Sequence, residues 1–275
     1  MLTFPHIDPV ALHLASFTVP YLGHISLDIR WYALAYLTGV ITGWWLIGYL
    51  SRKLNPPTLS KQMYEDIVLY AILGIVLGGR LGYVLFYKPD FYFNHPLEIL
   101  MVWHGGMAFH GGLTGMAVAM FIFARQFKTH FLAITDLLSV AGPIGLCCGR
   151  LANFVNGELY GRVTDSPYGM VFPNGGDLPR YPSQLFEAGL EGVVLFILLL
   201  TIALTTRALH KRGMLSGLFL IGYSIARSIC ELLREPDSFI HFLPSWITMG
   251  QLLSLPMLII GICLVVYSCR CKAKL

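Results

Sequence analysis

Apolar stretches of similar length, separated by short polar breaks, dominate this chain. They recur at about 31–50, 66–87, 108–123, 132–148, 184–205, 215–233 and 249–268. A helix rising 1.5 Å per residue needs about 20 residues to cross a hydrocarbon core about 30 Å thick, and most of these stretches supply that. The alternating period expected of a membrane barrel is absent. The pattern therefore predicts an all-α, polytopic integral membrane protein with about seven transmembrane helices. The third stretch is short, and the fourth carries Pro143 between Gly142 and Ile144. Such breaks are tolerated where neighbouring helices or a polar cavity satisfy the freed backbone groups.

The polar breaks take sides. Arg52, Lys53 and Lys61 follow the first span; Arg125 and Lys128 follow the third. Arg207, Lys211 and Arg212 follow the fifth; Arg270, Lys272 and Lys274 follow the seventh. All lie on one side of a seven-span arrangement, and short basic loops face the cytoplasm. The C-terminus is thus expected inside and the N-terminus outside. The opposite loops are longer and rich in turn formers. Residues of roughly 150–182 are expected to build a small extracytoplasmic cap on a single transmembrane catalytic domain, 1–275, with "PNGG" (173–176) as a hairpin-like turn.

Composition agrees. The chain is 56% apolar and only 12% charged, with a mean hydropathy of +0.66, against about 25% charged in ordinary soluble domains. The net charge of +4 is explained by the basic loops and does not argue for nucleic-acid binding. Cys147, Cys148, Cys230, Cys263, Cys269 and Cys271 fall mostly within apolar spans or the last residues. They fit neither a disulfide framework nor paired metal-ligand spacing. The first 29 residues lack a basic start and contain Asp8 and Asp28, unlike a secretory signal.

Charges inside spans are the anomaly, because each costs about 2.5–3.5 kcal/mol at a bilayer centre on insertion scales. Arg80, Asp136, Glu187, Glu191, Arg227 and Glu231 are the candidates. Mutual pairing that fixes helix register is the reading favoured for Asp136 and Glu191. In "GYSIARSICELLREPD" (222–237), Tyr223, Arg227, Glu231 and Arg234 follow at steps of four, four and three, placing all four on one helix face. A merely structural Arg227–Glu231 pair needs neither the tyrosine nor the second arginine on that stripe.

Two further constellations carry chemistry. In "HGGMAFHGGLTG" (104–115), His110 sits at the entrance of the third span beside Gly111 and Gly112. Glycines there permit close helix approach or open backbone N–H groups to an anion, and a histidine can act as a general base. The second is "GRLANFVNGELYG" (149–161), which gathers Arg150, Asn153, Asn156 and Glu158 between glycines. Arginine suits a phosphate through its planar fork of donors. Arginines, a histidine and carboxylates toward the outer leaflet suit an anionic phospholipid head group. No G-x-S-x-G elbow, H-E-x-x-H or P-loop appears, which disfavours a serine hydrolase or metalloprotease. A lipid transporter or flippase is the rival from another class.

Residues 149–161 match the pattern G-R-x-x-N-F-x-N-x-E-x-x-G at every fixed position, through to Gly161. "HGGLTG" (110–115), "YPSQLFEA" (181–188), the 222–237 block and "TMGQLLS" (248–254) follow in the same order as in one family. On these blocks the chain resembles the bacterial prolipoprotein diacylglyceryl transferases, from about Trp31 to the last span. The loop between Gly161 and Pro182 is shorter than in some members. The resemblance implies an inner-membrane enzyme that moves the diacylglyceryl group of phosphatidylglycerol to the lipobox cysteine thiol of a prolipoprotein signal peptide. Glycerol 1-phosphate leaves, with no metal or other cofactor. It further implies that Arg150 and Arg227 bind the phosphate and His110 takes the thiol proton. Glu158 and Glu231 would orient the arginines, while Asn153, Asn156, Tyr32 and Tyr223 position the head group. Arg234 would guide the anionic lipid.

Overall fold

The computed structural model describes residues 2–5, 7–19, 23–53, 59–101, 105–235 and 248–270. Helices occupy all seven predicted places. They are α1 (Trp31–Lys53), α2 (Lys61–Phe86), α4 (Phe109–Gln126), α5 (Phe131–Val155), α6–α7 (Ser183–Thr205), α8 (Met214–Cys230) and α9 (Met249–Arg270). A short α3 (Pro89–Asn94) and a 3-10 turn (Pro96–Leu100) link α2 to α4. Among the described residues, five helices are long and apolar enough to cross a membrane: α1, α2, α5, α6–α7 and α9, whereas α8 is apolar but shorter, at 17 residues. The protein is a mostly helical, multi-pass membrane protein.

Two features depart from the expected pattern. A β-hairpin, β1 (Val10–Val19) paired antiparallel with β2 (Gly23–Arg30), precedes α1. And α5 does not stop near 148 but runs on to Val155, so Arg150 and Asn153 stand on its last turns rather than in a loop. Pro143 lies inside this helix.

The chain forms two compact units, Met1–Ile47 with Asp136–Leu275, and Gly48–Thr135. In the second unit α2 packs on α4 through glycines. A Cβ on Gly115 would lie 2.7 Å from Gly78 Cα, and one on Gly82 2.7 Å from Gly111 Cα. Real side chains do not approach so closely, so the helices touch backbone to backbone. A neighbouring face of α2 exposes Leu69, Leu73, Leu77, Leu81 and Leu85 at steps of four, an apolar stripe suited to lipid. With apolar surface on both sides of the comparison, close packing by small residues drives such helix pairs together. Gly115→Val is expected to overpack this seam by about 1–3 kcal/mol, read as a lowered thermal midpoint of the detergent-solubilised protein.

The same unit buries Arg80, which is 3% exposed. Its guanidinium donates to the carbonyls of Ile99 (3.0 Å), Met101 (3.1 Å), Gly106 (3.2 Å), Glu98 and Gly105, and lies over the Tyr92 ring. Backbone dipoles rather than a carboxylate thus satisfy the charge. Gly105 and Gly106 take φ of +81° and +79° to turn their carbonyls inward, a conformation open mainly to glycine.

In the first unit, Asp136 is fully buried and its carboxylate accepts from the backbone N–H groups of Gly213 (2.7 Å) and Ser216 (2.7 Å) and from Ser216 Oγ (2.8 Å). It fixes register, as expected, but its partner is the open N-terminus of α8 and not a cation. A carboxylate there satisfies orphan amides and the helix dipole together.

Candidate active site

At the other end of α5 a second polar knot forms. Fourteen residues separate Arg150 from Asp136 along the helix, a rise of about 21 Å. After Val155 the helix ends in a tight turn: Gly157 N–H bonds to Phe154 O (2.9 Å) and Glu158 N–H to Asn153 O (3.1 Å), with Gly157 at φ +64°. This turn folds the Glu158 carboxylate back onto the helix. Its Oε1 accepts from Asn153 Nδ2 (2.8 Å) and Asn156 Nδ2 (3.5 Å). Glu158 therefore braces asparagines, and the expectation that it orients an arginine is corrected. The Glu158 carbonyl accepts from Gln184 Nε2 (2.6 Å), and the Leu159 carbonyl from Ser183 Oγ (3.0 Å). Both partners open α6, so the signature turn and the "YPSQ" block are bolted together.

That bolt delivers two carboxylates to the arginines. α6 ends at Glu187, and the rod continues through a wide π-helical turn, Ala188–Val194, before α7 (Leu195–Thr205). Turns of this kind recur at functional sites. Gly192 lets the turn approach α5: a Cβ there would lie 2.6 Å from the Cys147 Cβ. Glu187 and Glu191 are 1% and 0% exposed. Arg150 Nε lies 2.8 Å from Glu187 Oε2, and its Nη2 lies 3.6 Å from Glu191 Oε2. Arg227 Nη1 reaches Glu187 Oε2 at 3.1 Å and Glu191 Oε1 at 3.4 Å, while its Nη2 pairs with Glu231. Arg234 Nη1 lies 3.5 Å from Glu187 Oε1.

The remaining signature positions have steric reasons. Gly161 N–H bonds to Tyr181 O (2.8 Å) and the residue bridges Arg234 in antiparallel fashion; a Cβ there would sit 2.9 Å from both Tyr181 Cβ and Tyr181 O. Arg162 bonds the Leu233 carbonyl through its N–H (2.9 Å) and the Arg234 carbonyl through Nε (2.8 Å), fixing the backbone that carries Arg234. Gly250, at the start of α9, faces Glu231 so closely that a Cβ would overlap its carboxylate. Tyr223 stands among Glu191, Arg227, Arg150 and Glu187. Tyr32 pairs with Tyr36 Oη (3.2 Å), with Asn153 and Glu158 beside it.

Beyond the turn, Met170 bridges both Leu2 and Arg180, with "PNGG" at the tip between Met170 and Arg180, as the sequence suggested. Phe4, Met170 and Phe172 form a small apolar core with Phe154 and Tyr160 against it. His110 lies in the first turn of α4, in the second unit; its side chain and the whole of His104 fall outside the described residues.

Arg150, Arg227, Glu231, Arg234 and Tyr223 are thus brought together, and Asn153, Asn156, Glu158 and Tyr32 form an adjoining amide–tyrosine group. Glu187 and Glu191 are the parts that sequence reasoning undervalued. The signal was present: two glutamates four apart in an apolar span, immediately after "YPSQ".

A family model described as prolipoprotein diacylglyceryl transferase matches residues 20–267. Proteins called phosphatidylglycerol–prolipoprotein diacylglyceryl transferase are similar along nearly their whole length. That of Rhodospirillum rubrum is 49% identical over 98% of this chain and 96% of its own. That of Paramagnetospirillum magneticum is 48% identical over 99% and 98%, and that of Rickettsia felis 45% over 94% and 96%. With the fold, the signature turn and the arginine cluster in place, the chain belongs to the prolipoprotein diacylglyceryl transferase family.

Proposed function

We infer that this protein transfers the diacylglyceryl group of phosphatidylglycerol to the lipobox cysteine thiol of prolipoproteins, with the first compact unit binding the donor phosphate. The observation that carries the reading is the convergence of Arg150, Arg227 and Arg234 on buried carboxylates, in a chain nearly half identical to transferases so named. The basic loops after α1, α4, α7 and α9 support a bacterial inner-membrane orientation with the N-terminus periplasmic and the C-terminus cytoplasmic. The ends of α5 and α8 that carry the arginines then face the periplasm, beneath the cap of residues 150–182.

The chemistry is a displacement at carbon. The cysteine sulfur forms a C–S bond to the glyceryl carbon, the C–O bond to phosphate breaks, and its electron pair leaves on glycerol 1-phosphate. The thiol proton passes to a base, a role the "HGGLTG" block assigns to His110. A free cysteine of pKa about 8.5 is only a few per cent thiolate near neutrality, so a base or a cationic field raises the reactive fraction. Charge gathers on the departing phosphate, where guanidinium donors held in a low-dielectric site stabilise it. Asn153, Asn156, Tyr32 and Tyr223 position the glycerol head group, Glu231 holds Arg227, and Arg234 draws the anionic lipid in.

Purified protein incubated with phosphatidylglycerol and a lipobox peptide is expected to add one diacylglyceryl unit to the peptide by mass. In oxygen-18 water the released glycerol phosphate is expected to carry no label, because sulfur and not water attacks. Labelled glycerol phosphate with an unmodified peptide would make the protein a phospholipase.

A further inference from the structure

Three guanidiniums from two helices and the segment beyond α8 end on one carboxylate. Arg150 (2.8 Å), Arg227 (3.1 Å) and Arg234 (3.5 Å) all contact Glu187, which is 1% exposed. Glu191 takes a share of Arg150 and Arg227 but none of Arg234, and Glu231 takes a share of Arg227. Three arginines thus face three glutamates, and the cluster is neutral before any lipid arrives. A phosphate cannot be held there by surplus charge. It must use the donors that the carboxylates leave over. Arg150 Nη1, Arg227 Nε, and Arg234 Nε and Nη2 carry no hydrogen bond or ion pair to a described residue.

Each guanidinium is a rigid plane, so the direction of its spare donors follows from where its engaged donors are pinned. One oxygen of Glu187 pins both Arg150 and Arg227, and the other pins Arg234. We propose that Glu187 is the positioning residue of the phosphate clamp, and that it also acts as an internal anion competing with the lipid phosphate for the same arginines. This rests on the phosphate-binding reading above. The two roles pull apart in kinetics. Removing the charge leaves the cluster with one surplus cation, so an anionic lipid binds more tightly in the ground state. Losing the common anchor lets the guanidiniums swing away from the geometry the departing phosphate needs, so turnover falls. Misplaced donors raise the barrier even where binding survives.

The test uses the full-length Glu187→Gln protein with phosphatidylglycerol in mixed micelles, a lipobox peptide, and glycerol 1-phosphate as an inhibitor. The expected result is a kcat lowered about 100-fold, in the range for a lost transition-state contact, with KM for phosphatidylglycerol and the inhibition constant of glycerol 1-phosphate both lowered about three- to tenfold. Glu187→Asp keeps the charge and is expected to recover part of kcat and return KM toward its original value. A retained kcat, or a raised KM and inhibition constant, overturns the proposal, since a residue that only holds the fold would weaken binding and turnover together. Should Glu187→Gln fail to accumulate folded, Glu191→Gln is the second variant: the same split at smaller size supports the proposal, and a raised KM overturns it. If the unaltered protein leaves the peptide unmodified, the phosphate-clamp reading itself falls, and the role of Glu187 with it.

Discussion

Arg150→Lys is expected to lower diacylglyceryl transfer by about 10²–10³-fold, although the positive charge is kept. One planar group performs several tasks here. Nε lies 2.8 Å from Glu187, Nη2 lies 3.6 Å from Glu191, and Nη1 is left for a ligand. Lysine offers one compact nitrogen on a flexible stem, which can pair with a carboxylate or a phosphate but cannot span both carboxylates and still present a directed donor. The fold should survive, because a cation still balances the buried glutamates. The measurement is peptide lipidation followed by mass, with a thermal midpoint as control. A midpoint close to the original with transfer reduced at least a hundredfold supports the clamp; near-normal transfer contradicts it.

The helices were legible in the sequence because the bilayer imposes a single dominant constraint. A stretch of about 20 apolar residues has few ways to satisfy its backbone there, and all seven stretches are helical. The end of α5 was harder to read. Arg150 and Asn153 look like loop residues by polarity, yet the helix continues beneath them because their side chains find partners in the buried Glu187 and Glu191 and in the part-buried Glu158. Polarity marks a helix end only where the polar groups face water.

The N-terminal hairpin was missed for a different reason. In "GHISLDIR" Ile25, Leu27 and Ile29 alternate with His24, Ser26, Asp28 and Arg30, a period of two that argues a strand. The apolar spans that follow set the dominant pattern, and a period of two over 8 residues is a short signal beside them.

Partnerships across the chain were the least legible part of the site. Spacing alone suggested Arg227–Glu231, since residues four apart on a helix are neighbours, and the two do pair. Nothing local joins Glu187 to Arg150, 37 positions earlier, or Asp136 to the amides at 213–216. The first contact depends on Gly192 and the π-helical turn letting α5 and the α6–α7 rod approach; the second depends on the start of α8 meeting α5. Glu158 shows the reverse error: a carboxylate near an arginine in sequence was expected to serve it, and the Gly157 turn gives it to two asparagines instead.

Arg227→Met is expected to abolish transfer and to destabilise the protein by about 3–5 kcal/mol, the range for removing one partner of a buried ion pair. Arg227 balances parts of three carboxylates, two of them almost wholly inaccessible. Without it, Glu231 loses its arginine, and Glu187 and Glu191 keep only Arg150, with Arg234 on Glu187. The lowered thermal midpoint alone would not separate a role in the fold from one in chemistry. The double variant Arg227→Met/Glu231→Met does. It removes one cation and one anion together, leaves the cluster neutral, and fills the space with apolar atoms, a replacement that is often neutral or stabilising. Most of the lost stability should therefore return. Transfer should not, because the phosphate would still lack the guanidinium that stabilises its departure. A double variant that regained both the midpoint and the transfer would make Arg227 a structural residue, and the phosphate would have to be held by the remaining arginines alone.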